Sequence, residues 1–315
     1  MQAPEAIAAF DPRPGVAEEI RPGIRRLLAP NPTPMTFRGT NTYLVGTSDL
    51  AVIDPGPEDP AHLQAILAAV GDAPIRAILV THSHCDHSPL ARPLSEATGA
   101  PVMAYGDSRA GQSPLMRRLA AAGGLAGGEG VDDLFAPDSC LADGAFAEGD
   151  SWRLQALHTP GHMGNHLCFT DGEVIFCGDL VMGWASSLVS PPDGDLAAFR
   201  ASCTRLLARN ERFYLPAHGA PLHEPHARLT WLLAHRDTRE RQILAALSEA
   251  PGTPAELAAR IYTDTPVALL PAAARNVLAH LIDLTERELV RAAPEPGETG
   301  VFSLVAKASS PGQQG

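Results

Sequence analysis

Lysine is all but missing from this chain. Its 24 basic residues are arginine except Lys307, they face 36 acidic ones, and the net charge is −12. We read the arginine preference as genome bias. The acidic balance disfavours broad attachment to nucleic acid, which relies on cationic contacts to phosphate. Bound divalent cations would offset negative charge locally, so a negative substrate stays open. Also missing is any Cys-x-x-Cys pair. The five cysteines (Cys85, Cys140, Cys168, Cys177, Cys203) are odd in number, which argues against a disulfide framework and fits a reducing compartment. No run approaches the roughly 18 apolar residues of a membrane span. Met1 to Glu5 opens without a basic region before an apolar core, so no secretory leader is expected. These absences lead us to expect a cytoplasmic protein without membrane association. What is present, 45% apolar residues in 315, is enough for a globular core in one large domain or two.

The most informative stretch is Thr81-His82-Ser83-His84-Cys85-Asp86-His87. It follows the short apolar run Ile75 to Val80, which reads as a buried strand. Imidazole and carboxylate are the usual donors for zinc and related first-row metals. In extended chain His82 and His84 share a side, because side chains repeat every two residues. Asp86 and His87 follow as the chain turns and can face a second position, so one segment can serve two ions. Cys85 inside the motif reads as a small filler.

The pattern repeats along the chain. Ile24 to Leu28 is expected to open the first strand, after a proline-rich acidic surface arm over residues 1–22. Thr42 to Val45 and Leu50 to Ile53 suggest a hairpin. Asp54 follows the second strand and can hydrogen-bond a metal-binding histidine from behind, or simply form the turn before Pro55. Pro60 to Val70 has helical apolar spacing, as does Pro89 to Ala97, and Val102 to Tyr105 is strand-like. Met116 to Ala122 is a short helix, and the glycine-rich Gly123 to Gly130 is a lid over a pocket or a mobile loop. Further strands end at His158-Thr159-Pro160-Gly161-His162, at Gly178-Asp179 and at Ala217-His218-Gly219. Four apolar strands, each followed by metal-type donors, point to a metal site on an α/β scaffold. His158 is expected to support its strand end, and His166 to orient a metal-binding carboxylate. His62, His223, His226, His235 and His280 are expected to be surface or helix residues.

Beyond residue 230 the chain changes character. Arg239 to Leu247 is helical. Thr253-Pro254-Ala255-Glu256 has a Thr cap, Pro at the first position and Glu three after the cap, a strong helix start. Ala272 to Leu284 is a third helix, and Leu289 to Arg291 with Val301 to Val305 forms a hairpin. Three helices and a hairpin follow winged-helix order, which divides the chain into residues 1–230 and 231–315. Such modules often bind nucleic acid. Residues 235–306, however, carry seven Arg against ten Asp and Glu, and nucleic-acid footprints are basic. Packing against the first domain, or homodimer contact, is the expected role.

The quoted motifs, with Ile53-Asp54-Pro55-Gly56, occur in the order found in the metallo-β-lactamase fold family of hydrolases, which residues 20–225 resemble. The resemblance implies an αββα sandwich with metals at one edge. It places a first ion on His82, His84 and His162, a second on Asp86, His87 and His218, and Asp179 between them. His84 stands where the flavodiiron branch carries Glu, which points away from an oxygen-reducing iron centre. Cys177 is two residues too early for the cysteine ligand of true β-lactamases. Within the family the chain resembles the β-lactamase-like protein 2 branch with its winged-helix domain, on Gly39 to Val45 and on His235-Arg236-Asp237 through Leu244. The animal member of that branch is a single-strand-selective endoribonuclease. The expected chemistry is hydrolysis by a metal-held hydroxide at a two-ion centre, zinc by default with iron or manganese also accepted by these ligands, and with Asp86 and His218 as catalytic residues. Cleavage of single-stranded RNA is the first expectation, with hydrolysis of thioesters, lactones or other small acyl substrates, and a non-enzymatic winged-helix nucleic-acid-binding regulator, as the alternatives. The intact ligand set argues against the last.

Overall fold

The computed structural model describes residues 9–305 apart from 124, 126 and 129. Residues 1–8 of the expected arm, parts of the glycine-rich stretch, and the tail after 305 therefore lie outside the described residues.

Seven strands form the first sheet, in the order β1 (Glu18–Arg21), β2 (Ile24–Leu28), β3 (Asn41–Val45), β4 (Leu50–Ile53), β5 (Ile75–Leu79), β6 (Val102–Ala104) and β7 (Ser139–Cys140). Pairing is antiparallel from β1 to β4 and parallel from β4 onward. The second sheet runs β12 (Phe213–Pro216), β11 (Val174–Gly178), β10 (Leu167–Thr170), β9 (Arg153–His158) and β8 (Phe146–Glu148). Period-two alternation sorts the side chains. Tyr43, Ile53, Leu79, Phe169 and Phe176 meet between the sheets. Their neighbours Leu44, Val52 and Ile78 face α1 (Pro60–Val70) and α2 (Ala91–Thr98). Cys168 and Ile175 face α4 (Leu196–Leu207) and the first half of α5 (Pro225–Glu249). Strands buried on both faces read as near-continuous apolar runs, which is why the sequence exposes them so clearly. The result is the expected αββα sandwich.

One expectation is corrected and two gain detail. The expected surface arm is not wholly an arm, because Glu18–Arg21 pairs with β2 as an edge strand before the one expected first. Its charged side chains suit an edge, where they discourage further pairing. The boundary at 230/231 falls inside α5, a single helix of 25 residues. Leu229 and Leu232 of α5 pack in the sandwich, and Ile243, Ala246 and Leu247 pack in the C-terminal unit. Finally, Val267–Glu286, a 3-10 turn running into α7 (Leu270–Glu286), is long and apolar enough to cross a bilayer by length and composition. Eight residues of α7 are buried, however, among them Val277, Leu281 and Leu284 in the C-terminal core, as in any core helix.

The C-terminal unit is a winged helix. The end of α5, then α6 (Pro254–Ile261) and α7, precede the hairpin β13 (Val290–Ala293) and β14 (Val301–Leu304). The Thr253 side chain accepts from the Glu256 backbone while Glu256 reaches back to the Thr253 amide, so the capping box is complete. Met116 and Leu125 also pack in this core, so the segment holding α3 (Pro114–Ala122) ties sandwich to winged helix.

Phe302 is fully buried at the centre of that core. Phe302→Ala is expected to cost about 3–5 kcal/mol, read as a lower urea midpoint. An unchanged midpoint would mean that the winged-helix core unfolds apart from the main transition.

Candidate metal centre

The strand ends converge. The chain leaves β5 at Val80, and Thr81 to His87 turn across the edge of the sandwich. His162 follows β9, Asp179 follows β11 and His218 follows β12. Three groups of donors form, each with atoms within 4.8 Å of one another: His82, His84 and His162; His82, His87 and Asp179; Asp86, His87 and His218. All seven residues expected as ligands are thus brought to one place.

On one side, His84 Nδ1 lies 2.9 Å from His82 Nε2 and 3.0 Å from His162 Nε2. On the other, Asp86 Oδ2 lies 3.1 Å from His218 Nε2 and 3.4 Å from His87 Nε2. Asp179 spans the two, with Oδ2 at 3.5 Å from His162 Nε2 and Oδ1 at 3.3 Å from His218 Nε2. Three nitrogens pointing at one another cannot all donate. Such a cluster presents lone pairs to a common point.

Four of the five imidazoles are held from behind. The Nδ1 of His162 faces the Leu188 carbonyl at 2.7 Å, and that of His218 faces the Gly39 carbonyl at 3.1 Å. His87 Nδ1 meets Asp54 Oδ2 at 3.0 Å. Thr81 Oγ1 donates to Asp54 Oδ2 at 2.7 Å and lies 3.0 Å from His82 Nδ1, so it is placed to accept from that ring. An Nδ1–H committed outward leaves Nε2 as the inward lone pair, the usual way a protein sets the tautomer of a metal ligand. Asp54 also accepts from the Thr81 amide at 2.7 Å. Asp54 therefore fixes both the strand end and one imidazole.

His166 behaves differently from expectation. Its Nε2 accepts from the backbone amide of Asp179 at 3.3 Å, and its Nδ1 lies 3.0 Å from Thr159 Oγ1. It sets the backbone of Asp179 and does not touch the carboxylate. Gly178 makes this approach feasible: with φ +48°, a Cβ there would sit 2.5 Å from His166 Nε2. His158 supports its loop through Nε2 on the Gly164 carbonyl and stacks on Tyr105. His62 and His280 are helix residues but are buried, not at the surface. His62 Nε2 lies 2.9 Å from Thr42 Oγ1. The sequence assigns no supporting role to Thr81, Gly39 or Leu188, and for Gly39 and Leu188 no signal exists, since only their carbonyls act.

Electrostatics follow from this crowding. Burial, reinforced by neighbouring imidazoles, holds His82 well below its ordinary value and pulls His84 down to about 3. Burial also opposes charge on His218, but the Asp179 and Asp86 carboxylates outweigh it and raise that imidazole to about 10. His87 is raised likewise, burial again being overcome by Asp86, Asp179 and Asp54. Burial would raise Asp86 and Asp179, yet the facing imidazoles keep both carboxyls ionised.

The donors fit a pair of divalent cations. Among the described residues, neither His87 Nε2 nor Asp179 Oδ1 has a hydrogen-bond partner, although both are buried. Buried polar atoms are rarely left unpaired, and a cation at their common focus would satisfy both.

Comparison with known proteins agrees with this geometry. Residues 35–218 match the metallo-beta-lactamase superfamily, and residues 253–298 match the beta-lactamase associated winged helix domain. A beta-lactamase-like protein 2 homolog of Drosophila melanogaster is 29% identical over 293 residues, 87% of this chain and 91% of its own. An atrochrysone carboxyl ACP thioesterase of Cryptosporiopsis sp. is 30% identical over 74% of this chain, which spans 65% of that relative's length. The crystal structure of a metallo-beta-lactamase family protein from Thermus thermophilus superposes with a TM-score of 0.74 and 26% identity. It covers 91% of this chain and 100% of that one.

Two outcomes are expected. Asp54→Asn places an amide where His87 Nδ1 needs an acceptor, and should weaken one of two cation equivalents by about 10- to 100-fold in a chelator competition. Equal affinities in variant and parent would reduce Asp54 to a turn residue. Because Asp86 and Asp179 outweigh burial and favour the protonated forms of His87 and His218, a cation must displace those protons. Apparent affinity should therefore climb as pH rises toward about 10, where His218 gives up its proton, and a flat profile would contradict the assignment.

Proposed function

The chain belongs to the metallo-beta-lactamase superfamily, a family of hydrolases, and from that premise we propose that it hydrolyses a small acyl substrate, a thioester or related ester, at a two-cation centre. The observation that carries the reading is the span of Asp179, with Oδ2 at 3.5 Å from His162 Nε2 and Oδ1 at 3.3 Å from His218 Nε2, beside a buried His87 Nε2 and Asp179 Oδ1 that have no hydrogen-bond partner among the described residues. Five imidazoles and two carboxylates favour zinc, with manganese and iron as competitors for the same donors. Cations held there would supply Lewis acidity for the acyl oxygen and lower the pKa of water.

The residues divide the remaining work. His82, His84 and His162 would hold one cation, Asp86, His87 and His218 the other, and Asp179 would fix their spacing. Asp86 has a side chain 26% exposed, against 10% or less for Asp179, His87, His162 and His218. It is the most accessible of these groups, and it would orient water that reaches the second cation. His218, held by the Gly39 carbonyl, faces both Asp86 and Asp179 and keeps the two carboxylates apart.

Two observations favour an acyl substrate over single-stranded RNA. A relative 30% identical over three quarters of the chain is named a thioesterase. The third helix of the winged helix, the usual groove reader, is engaged with the sandwich: Arg275 donates to Ser190 Oγ, and Asn276 Oδ1 accepts from the Val189 amide. The RNA reading draws on the likeness to the Drosophila protein across both units.

The test pairs a panel of acyl thioesters with single-stranded RNA, using metal-loaded protein, chelator-stripped protein and Asp86→Asn. Thioester turnover should vanish on stripping, return with zinc, and fall at least about 100-fold in Asp86→Asn, the scale of a misplaced reacting group. Salt-sensitive RNA cleavage without thioester turnover would select the RNA reading, and full activity after stripping would defeat both.

A further inference from the structure

The loop between β11 and α4 has two faces. On one, the Leu188 carbonyl meets His162 Nδ1 at 2.7 Å. On the other, both residues flanking Leu188 are gripped from the C-terminal half of the chain. Arg236 of α5 donates through Nη2 to the Ser187 carbonyl. The Val189 amide donates to Asn276 Oδ1 of α7 at 3.2 Å. The same Oδ1 accepts from Arg236 Nη1 at 3.0 Å, and Asn276 Nδ2 donates to the Ala272 carbonyl, which fixes the amide's orientation. Arg236 is 2% exposed and lies over the Phe199 ring at 4.9 Å. Phe199 in turn closes on Gly161, where a Cβ would sit 2.3 Å from its Cα. Thus the Leu188 carbonyl and the backbone just before His162 both rest on parts that Arg236 touches.

We propose that Arg236 and Asn276 are positioning residues of the metal centre, through which the winged helix sets the angle and tautomer of His162. A guanidinium buried against carbonyl and amide oxygens, with no carboxylate hydrogen-bonded to it among the described residues, is a costly way to join two packed units. Apolar residues would serve that end better. Its specific product is a fixed carbonyl at Leu188. The linkage gives the acidic winged helix a task that needs no nucleic acid: a centre that loads cations fully only when the C-terminal unit is docked.

The inference rests on the two-cation reading, and the experiment separates their failures. Cobalt(II) is titrated into the full chain, following equivalents bound against a chelator and the visible absorption of each. Asn276→Leu keeps the volume and removes the acceptor, while Asn276→Asp restores it. Asn276→Leu is expected to bind one of two cobalt equivalents about tenfold more weakly, with a shifted spectrum for that equivalent alone, and Asn276→Asp to recover both. Arg236→Lys keeps the buried charge but cannot reach Ser187 and Asn276 together. It gives the same readings should Asn276→Leu lose its thermal transition. Folded variants with parental affinities and spectra would overturn the coupling while leaving the metal centre intact. A parent chain that takes up no cobalt would overturn both.

Discussion

Five imidazoles and two carboxylates share one buried pocket because most of the rings are held from outside it. Left free, their lone pairs repel and their protons compete. Here the hydrogen bonds of four imidazoles run outward, to the Leu188 and Gly39 carbonyls, to Asp54 and to Thr81. The fold supplies these anchors because parallel strands β4, β5 and β6 end at the same edge as β9, β11 and β12. Loops at such an edge can be aimed, since the strands beneath them are rigid.

That constraint explains the glycines and the odd turn residues around the centre. Gly178 and Gly161 stand where any side chain would collide, with His166 in one case and Phe199 in the other. Asp54 adopts a positive φ of 49°, a conformation that Asp tolerates better than most residues. In exchange its carboxylate receives the Thr81 amide, the Thr81 hydroxyl and His87 at once. Strain at one residue is offset by three charge-assisted hydrogen bonds.

The C-terminal unit is part of the same arrangement. A single helix, α5, runs from the sandwich into the winged helix without a linker. Its buried Arg228 and Arg236 hold the carbonyls of Met182, Ala185 and Ser187. The segment after β6 lies on the metal motif as well: the Cys85 amide donates to the Gly130 carbonyl, and His84 bridges Val131. Catalytic and accessory units are therefore joined through backbone carbonyls, where no pattern of side chains advertises the contact.

The sequence alone determined much of this protein. Strands buried on both faces announce themselves as apolar runs, the Thr253 capping box marks its helix, and donors at four strand ends mark the place where a centre forms. These features are local, carried by neighbouring side chains and their spacing. Only tertiary structure decided which atoms back the histidines, that His166 serves an amide and not a carboxylate, that Glu18–Arg21 joins the sheet, and that α5 ignores the expected boundary. Each of these depends on a partner distant in sequence, often a bare carbonyl or amide, and the main chain is chemically the same at nearly every position.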